Sequence, residues 1–269
     1  MLGTIQITGE DLNDVEINDI CNSLSNGSVR LLSLRGCHMD DASFKRISES
    51  LKTNASLAQL NFSLGVLSNK QRVKWLSDAL KHNTNLSSLL LHGNSLSDDG
   101  IKYLVKALQV HPKISSLDVG DCNLTDDGLQ QVCMLLPPEE GKTCLHTLTL
   151  TGNKNITQMG WSYLAIAIAA SSQLRNLYLD YNKIGNYGTG VLAVAMAASE
   201  TLEKVDLEGC GISESGAELL FDVVANYPTS LKEINLADNN VSEELQEQIR
   251  LCLTDEEIKD ENDENHTST

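Results

Sequence analysis

The chain repeats one apolar pattern about every 28 residues, and this periodicity limits the possible folds more than any single motif does. The pattern is L-x-x-L-x-L-x-x-N/C-x-L, with other aliphatic residues allowed at the Leu positions. Leu86, Leu89, Leu91, Asn94 and Leu96 satisfy it in order. The first positions of nine such frames are Leu2, Val29, Leu57, Leu86, Ile114, Leu145, Leu174, Leu202 and Leu231. One unit alone cannot bury its apolar side, so we expect neighbouring units to stack.

Each frame predicts a strand that is followed by a helix. The alternating apolar residues at its start are typical of a strand with one buried face. The Asn or Cys after the strand is predicted to turn inward and bond buried backbone groups of the bend. The second half has helical spacing, with Ile101, Leu104 and Val105 on one face. Ser97 and Thr125 each precede two acidic residues and are predicted to cap their helices.

The predicted architecture is an α/β solenoid of about nine units, with a parallel concave sheet and the helices outside. We expect residues 1–253 to form one repeat domain. Its N-terminal cap is predicted at 1–28 and its C-terminal cap helix at 243–252. Two frames are degraded, because Glu10 and Gly65 stand where the other frames have Asn or Cys.

The segment from 254 to 269 is predicted to be an acidic disordered tail. It holds seven acidic residues against Lys259, and the whole chain has a net charge of −17. A segment so rich in charge and so poor in apolar residues gains little by folding. The acidic balance argues against nucleic acids and anionic membranes as partners.

The cysteines and the first residues predict a reduced, soluble protein of the cytoplasm. The seven cysteines, an odd number, are scattered over repeat positions. Residues 1–14 lack a long apolar run, and no segment reaches the roughly 18 apolar residues of a membrane span. Association with the cytoskeleton or a cilium stays open.

The chain carries no catalytic constellation. It has no glycine-rich phosphate loop, no H-E-x-x-H sequence, no nucleophile elbow and no cysteine pair with zinc spacing. The six histidines lie in separate loops, strands or the tail. We therefore expect no enzyme, no metal, no cofactor and no small-molecule substrate, and we look for function on the surfaces.

Repeats of this length with a full helix resemble the ribonuclease-inhibitor-like leucine-rich repeats. That family includes the ribonuclease inhibitor, the sensor regions of nucleotide-binding immune receptors and the Ran GTPase-activating protein. The resemblance covers roughly residues 2–252 and implies a horseshoe that serves as a non-catalytic protein-binding scaffold. The alternatives are a regulator of a small GTPase, by analogy with the Ran relative, and a structural component of a cytoskeletal or ciliary assembly.

The first candidate surface is concave, because strand positions between the template leucines face that side. The middle exposed column is predicted to be Ser33, Asn61, Leu90, Asp118, Thr149, Tyr178, Asp206 and Asn235. The next is Arg35, Ser63, His92, Gly120, Thr151, Asp180, Glu208 and Ala237. The candidate binding residues are Leu90, His92, Asp118, Tyr178, Asp180, Tyr181, Asp206 and Glu208. Tyrosines within an acidic field indicate a protein partner with a basic surface.

The second candidate surface is convex. Residues 160–170 and 190–198 have helical spacing and no charged residue, although a surface helix normally carries charge on its outer side. Trp161, Ile166, Val191 and Val194 are predicted to lean outward, which would form an interface patch. The alternative is tight helix packing through the alanines of these runs.

Overall fold

The computed structural model describes residues 3–136, 145–170 and 173–264, with side chains as far as 253. Within these residues, nine parallel strands form one sheet in sequence order, as predicted. They are Gly3–Thr8 (β1), Val29–Arg35 (β2), Gln59–Asn61 (β3), Ser88–Leu90 (β4), Ser116–Asp118 (β5), Thr147–Thr149 (β6), Asn176–Tyr178 (β7), Lys204–Asp206 (β8) and Glu233–Asn235 (β9).

A helix follows each strand and packs against the helix of the next unit. The helices are Asp14–Ser25 (α1), Asp41–Thr53 (α2), Lys70–His82 (α3), Ser97–Leu108 (α4), Asp126–Cys133 (α5), Gln158–Ala169 (α6), Gly185–Ala198 (α7), Glu214–Asn226 (α8) and Glu243–Glu264 (α9). One continuous core lies between the sheet and the helices, which confirms the predicted solenoid.

The sheet register aligns the template leucines of successive units. Leu60 lies opposite Leu89, which lies opposite Leu117, and all three are buried. Burying one leucine side chain stabilises a fold by about 2 kcal/mol. The repeat pattern therefore becomes a stack of apolar side chains along the length of the sheet.

The inward Asn and Cys residues bond the buried bends, as predicted. The Asn94 amide oxygen accepts from the Leu67 backbone nitrogen at 2.8 Å. Its amide nitrogen donates to the Phe62 and Leu91 carbonyl oxygens at 2.9 and 2.6 Å. One unit later, the Cys122 thiol donates to the Leu91 carbonyl oxygen at 3.4 Å. These side chains supply partners for backbone groups that the core excludes from water.

The prediction that Ser97 caps its helix is wrong, whereas Thr125 does occupy the N-cap position of α5 but makes no capping hydrogen bond to it. Ser97 is the first residue of α4, and neither helix has a side-chain cap hydrogen bond. Instead, Asp98 accepts from the backbone nitrogen and hydroxyl of Thr125, in the next unit, at 3.0 and 2.7 Å. The same contact between neighbouring units joins Asp126 to Thr157, Asn186 to Ser213 and Glu214 to Ser242.

Arg72 of α3 is a buried cation next to the degraded third frame, and only 5% of its surface is exposed. Its guanidinium donates to the Val66 and Met39 carbonyl oxygens at 2.9 and 2.5 Å. Its Nε donates to Asp41 at 2.7 Å and so holds the pKa of that carboxyl below its usual value. Arg72 thus bonds the buried Val66 carbonyl of the unit that has Gly65 in place of Asn or Cys, and it joins this carbonyl to Met39 and Asp41 of the preceding unit.

The last helix, α9, is longer than the predicted cap helix. It begins at Glu243, as predicted, but runs to Glu264 rather than ending at 252. The predicted disorder of residues 254–269 stays a prediction, and residues 265–269 lie outside the described part of the chain. None of the helices in the described residues combines the length and apolar character that crossing a membrane requires.

Candidate protein-binding surface

The two predicted concave columns exist in the structure. Each residue of the middle column, from Ser33 to Asn235, pairs in register with the next. Backbone hydrogen bonds continue the second column beyond the strand ends, for example from the Gly152 nitrogen to the Asp180 carbonyl oxygen at 3.0 Å. Ser33 and Ser63 are buried, so the N-terminal part of both columns offers less side-chain surface than predicted.

The structure places all eight concave candidates on this face. Tyr181 is exposed and the other seven are half-buried: Leu90, His92, Asp118, Tyr178, Asp180, Asp206 and Glu208. They fall into two groups, one around Asp118 and one between β7 and β9. Both groups lie along the same concave columns, and together they form one strip that becomes acidic towards the C-terminal units.

A hydrogen-bond network organises the C-terminal group. The Tyr181 hydroxyl donates to Glu208 and lies 3.3 Å from an Asp238 carboxylate oxygen. The Asn235 amide nitrogen donates to Asp206 at 3.0 Å and to Glu208 at 3.2 Å. The bond to Glu208 raises the pKa of Tyr181 to about 12, so this hydroxyl stays protonated. The sequence prediction missed the bridging amide of Asn235, although the register column already placed it beside Asp206.

Asp118 and Asp180 are carboxylates for which burial makes ionisation unfavourable. Burial raises the pKa of Asp180, and the nearby Asp206 and Glu208 charges raise it further. The Thr151 hydroxyl, which donates to Asp180 at 2.8 Å, opposes this shift. Burial likewise raises the pKa of Asp118, although the hydrogen bond that its carboxylate accepts from the Gly120 backbone nitrogen acts in the opposite direction. Both carboxylates would be stabilised by a cation that replaces the lost water.

Lysine and arginine side chains of the same region form ion pairs with other acidic residues, not with these carboxylates. Arg175 binds Glu203, Lys204 binds Glu233 at 2.7 Å, and Lys232 lies 3.6 Å from Glu203. His92 is the basic side chain beside Asp118, with its Nδ1 3.7 Å from the carboxylate. The acidic strip is therefore open to a cationic group from outside.

The convex prediction holds for two of its four residues and is wrong for Trp161. Ile166 and Val194 are 70% and 68% exposed, and Val191 is half-buried against the core. Trp161 is 0% exposed, and its indole nitrogen donates to the Lys183 carbonyl oxygen at 3.2 Å. Trp161 lies three residues before Leu164, on the same helix face, so helical spacing already indicated that it points inward.

Within the described residues, no group of three or more His, Cys, Asp and Glu side chains is arranged to hold a metal ion. The six described cysteines are free, and four of them are buried: Cys37, Cys122, Cys133 and Cys210. Burial raises the pKa of the Cys122 thiol to about 12, which is the opposite of what a nucleophile needs.

Comparison with known proteins places this architecture in a family. A leucine-rich repeat family model matches residues 82–105, 110–133 and 198–221. Leucine-rich repeat-containing protein 73 from Rattus norvegicus and that from Homo sapiens are each 50% identical to the chain over 258 residues. Each alignment covers 96% of this chain and 82% of the relative.

A solved structure shares the fold at low identity. The chain resembles a chain of the crystal structure of a Rad7 and Elc1 complex in yeast, with a TM-score of 0.67 and 18% identity. The match covers 92% of this chain and 60% of that one. The sheet register, the inward Asn and Cys residues and the 50% identity to these relatives all indicate the same repeat family. The chain therefore belongs to the leucine-rich repeat family that includes leucine-rich repeat-containing protein 73.

Proposed function

We propose that this protein is a non-catalytic interaction module whose concave acidic strip binds a basic segment of a protein partner. Proteins of the leucine-rich repeat family typically mediate protein–protein interactions and are generally non-catalytic. The observation that carries the proposal is the half-buried group of Asp118, Asp180, Asp206 and Glu208, whose neighbouring lysines and arginines pair elsewhere.

The electrostatics of the strip favour a cationic ligand. Asp180 and Asp118 are partly removed from water, and the repulsion from Asp206 and Glu208 acts on Asp180 as well. A Lys or Arg side chain in the strip would offset both effects and would lower the pKa of each carboxyl. Such charge complementarity supports specificity and fast association more than affinity.

The two tyrosines supply the apolar part of the proposed contact. Tyr178 lies in the middle column, between Thr149 and Asp206, and the Tyr181 ring is exposed at the end of β7. The Tyr181 hydroxyl is held by Glu208, so the ring has less freedom to lose when a partner packs on it. Tyrosines placed this way are common anchors of protein interfaces.

We also propose that the protein works in a reducing compartment, the cytoplasm. The six free cysteines of the described residues support this, because secreted proteins of comparable cysteine content usually form disulfides. Imaging of the tagged full chain in living cells tests the placement. Signal confined to the secretory pathway would contradict it.

The binding proposal is tested by comparing the proteins that wild type and an Asp206→Asn/Glu208→Gln variant capture from cytosol, by quantitative mass spectrometry. We expect a partner with a lysine- or arginine-rich segment that the variant loses by about tenfold or more. We also expect capture to weaken when the salt concentration rises from about 0.1 M to about 0.5 M.

A Glu243→Gln/Glu244→Gln variant is the matched control, because it removes the same charge from exposed positions of α9. It should retain the partner, and both variants should melt close to wild type. Equal capture by wild type and by Asp206→Asn/Glu208→Gln would overturn the concave proposal.

A further inference from the structure

The outer side of α6 and α7 forms an apolar groove that the concave proposal does not use. The groove has a volume of about 410 Å³. Its floor contains small residues, among them Ala165, Gly190 and Ala195, and Ile166 and Val194 rise on its sides. Neither α6 nor α7 contains an Asp, Glu, Lys or Arg.

One repeat position is apolar in the units of α5, α6 and α7 but charged in the units of α4 and α8. Gly100, Gly128, Gly160, Gly188 and Gly216 occupy equivalent positions near the helix starts. Six residues after each of them stand Lys106, Met134, Ile166, Val194 and Asp222, and all five are exposed. A solvated helix face normally keeps charge there, as α4 and α8 do. Ile166 and Val194 line the same groove, and Met134, directly after α5, is the equivalent exposed residue one unit earlier. Exposed apolar residues grouped in this way are typical of an interface.

The edge of the groove towards α8 is acidic. Glu218 and Asp222 are both exposed, lie four residues apart on one face of α8, and belong to a helix without Lys or Arg. Leu219 is 44% exposed between them and continues the apolar surface. Adjacent packed helices are about 8–10 Å apart. Long basic side chains of a ligand in the groove can therefore reach these carboxylates.

We propose that this groove binds an amphipathic helix of a protein partner, with its apolar stripe between Ile166 and Val194 and Lys or Arg residues on the edge facing α8. The groove runs between two adjacent helices, and a helix with apolar residues at i, i+3, i+4 and i+7 presents a stripe that fits it. The acidic α8 edge fixes the charge of that ligand. This site is separate from the concave strip, so one molecule can hold two partners.

The test uses two labelled synthetic helical peptides of about 18 residues, long enough to hold a helix. Both carry the same apolar stripe, but one has Lys and the other Glu along one edge. Fluorescence anisotropy is measured with wild type and with Ile166→Gln/Val194→Gln, which changes two exposed side chains and no charge. We expect the Lys peptide to bind wild type about tenfold or more tightly than the Glu peptide, and the variant to lose this binding.

Two further variants assign the binding to the groove. Glu218→Lys/Asp222→Lys should reverse the preference in favour of the Glu peptide. Asp206→Asn/Glu208→Gln, on the concave face, should leave the peptide affinity unchanged, which separates this inference from the proposed function. Binding that survives Ile166→Gln/Val194→Gln would overturn the proposal. So would self-association of wild type that this variant abolishes, because the groove would then be the contact between two copies.

Discussion

His111 occupies the place that Asn83 fills one repeat earlier. The Asn83 amide oxygen accepts from the Asn85 and Leu86 backbone nitrogens at 3.0 and 2.9 Å. The His111 Nδ1 accepts from the nitrogens two and three residues further along the chain at 3.2 and 3.3 Å. The Asn83 amide nitrogen also donates to the Leu51 and Asn54 carbonyl oxygens of the preceding unit, whereas the buried His111 Nε2 has no hydrogen-bond partner among the described residues.

Replacing His111 with Asn should stabilise the protein. Because Nδ1 accepts hydrogen bonds, Nε2 carries the ring proton, and a buried donor without a partner costs about 1–3 kcal/mol. An Asn side chain can donate to the preceding unit as Asn83 does, although its smaller volume offsets part of the gain. We expect urea unfolding near pH 7.5 to give a free energy of unfolding about 1 kcal/mol higher for the variant. A lower free energy of unfolding for the variant would mean that the packing of the imidazole ring stabilises the fold by more than its unpaired nitrogen costs.

The same residue predicts a pH dependence of stability. Burial, helped by the nearby Lys113 charge, lowers the pKa of His111 to about 4, from 6.5. The folded state therefore favours the neutral ring, and this contribution is complete above pH 6.5 and lost as the pH falls towards 4. The loss is at most about 3 kcal/mol. The difference in the free energy of unfolding between wild type and His111→Asn should therefore change between pH 6.5 and pH 4. The raised pKa values of Asp118 and Asp180 have the opposite effect on stability, but both proteins share it, so it cancels in the difference. A constant difference from pH 7.5 to pH 4.5 would contradict the assignment.

The strand register could be predicted from sequence because the repeat fixes it. Once Leu89 and Leu117 are assigned to the same template position, Leu90 must stand beside Asp118, and the concave columns follow. The partner of Thr125 could not be read from one unit, because it is Asp98, 27 residues away. Capping rules describe contacts within one helix, whereas this contact joins the starts of two neighbouring helices.

Substitution of Asp98 tests that contact between units. Its carboxylate accepts two hydrogen bonds from Thr125, so Asp98→Ala leaves the start of α5 without them. We expect the free energy of unfolding to fall by about 1–2 kcal/mol. The neighbouring Asp99 is exposed and pairs only with Lys70 in the described chain, so Asp99→Ala should cost clearly less than Asp98→Ala. Equal losses in the two variants would show that the contact with Thr125 contributes nothing beyond charge.

Trp161 and Arg72 mark two different limits of sequence reasoning. The spacing of Trp161 to Leu164 indicates an inward position, but the absence of charged residues from 160–170 suggested an apolar surface patch instead. The burial of Arg72 was not available, because a cation on α3 fits a solvated helix face equally well. It depends on carbonyl groups of Val66 and Met39, which only the folded chain brings together.

Arg72→Met should destabilise the protein strongly. The variant keeps an unbranched side chain but leaves the carbonyls of Val66 and Met39 without their donor, and Val66 is fully buried. We expect a loss of about 2–4 kcal/mol in urea unfolding. Lys70→Met removes a cation from the same helix at an exposed position, where the ion pair with Asp99 contributes little, so this variant should lose far less stability. If the two variants unfold at the same urea concentration, the hydrogen bonds from Arg72 to Val66 and Met39 contribute nothing beyond a surface charge.

The thiols should react with an alkylating reagent in an order set by burial. Cys122, Cys133 and Cys210 are buried, and burial raises the pKa of each to about 12, so almost none of each thiol is ionised at pH 8. Cys21 and Cys252 are half-buried and should be labelled by iodoacetamide under native conditions before these buried thiols are. Mass spectrometry of digests taken over time measures the order, and urea-unfolded protein should lose it. The Cys122 and Cys210 thiols donate to carbonyl oxygens of the preceding unit. If either is labelled in the native protein as fast as Cys21, neighbouring units must separate often enough to expose these buried thiols.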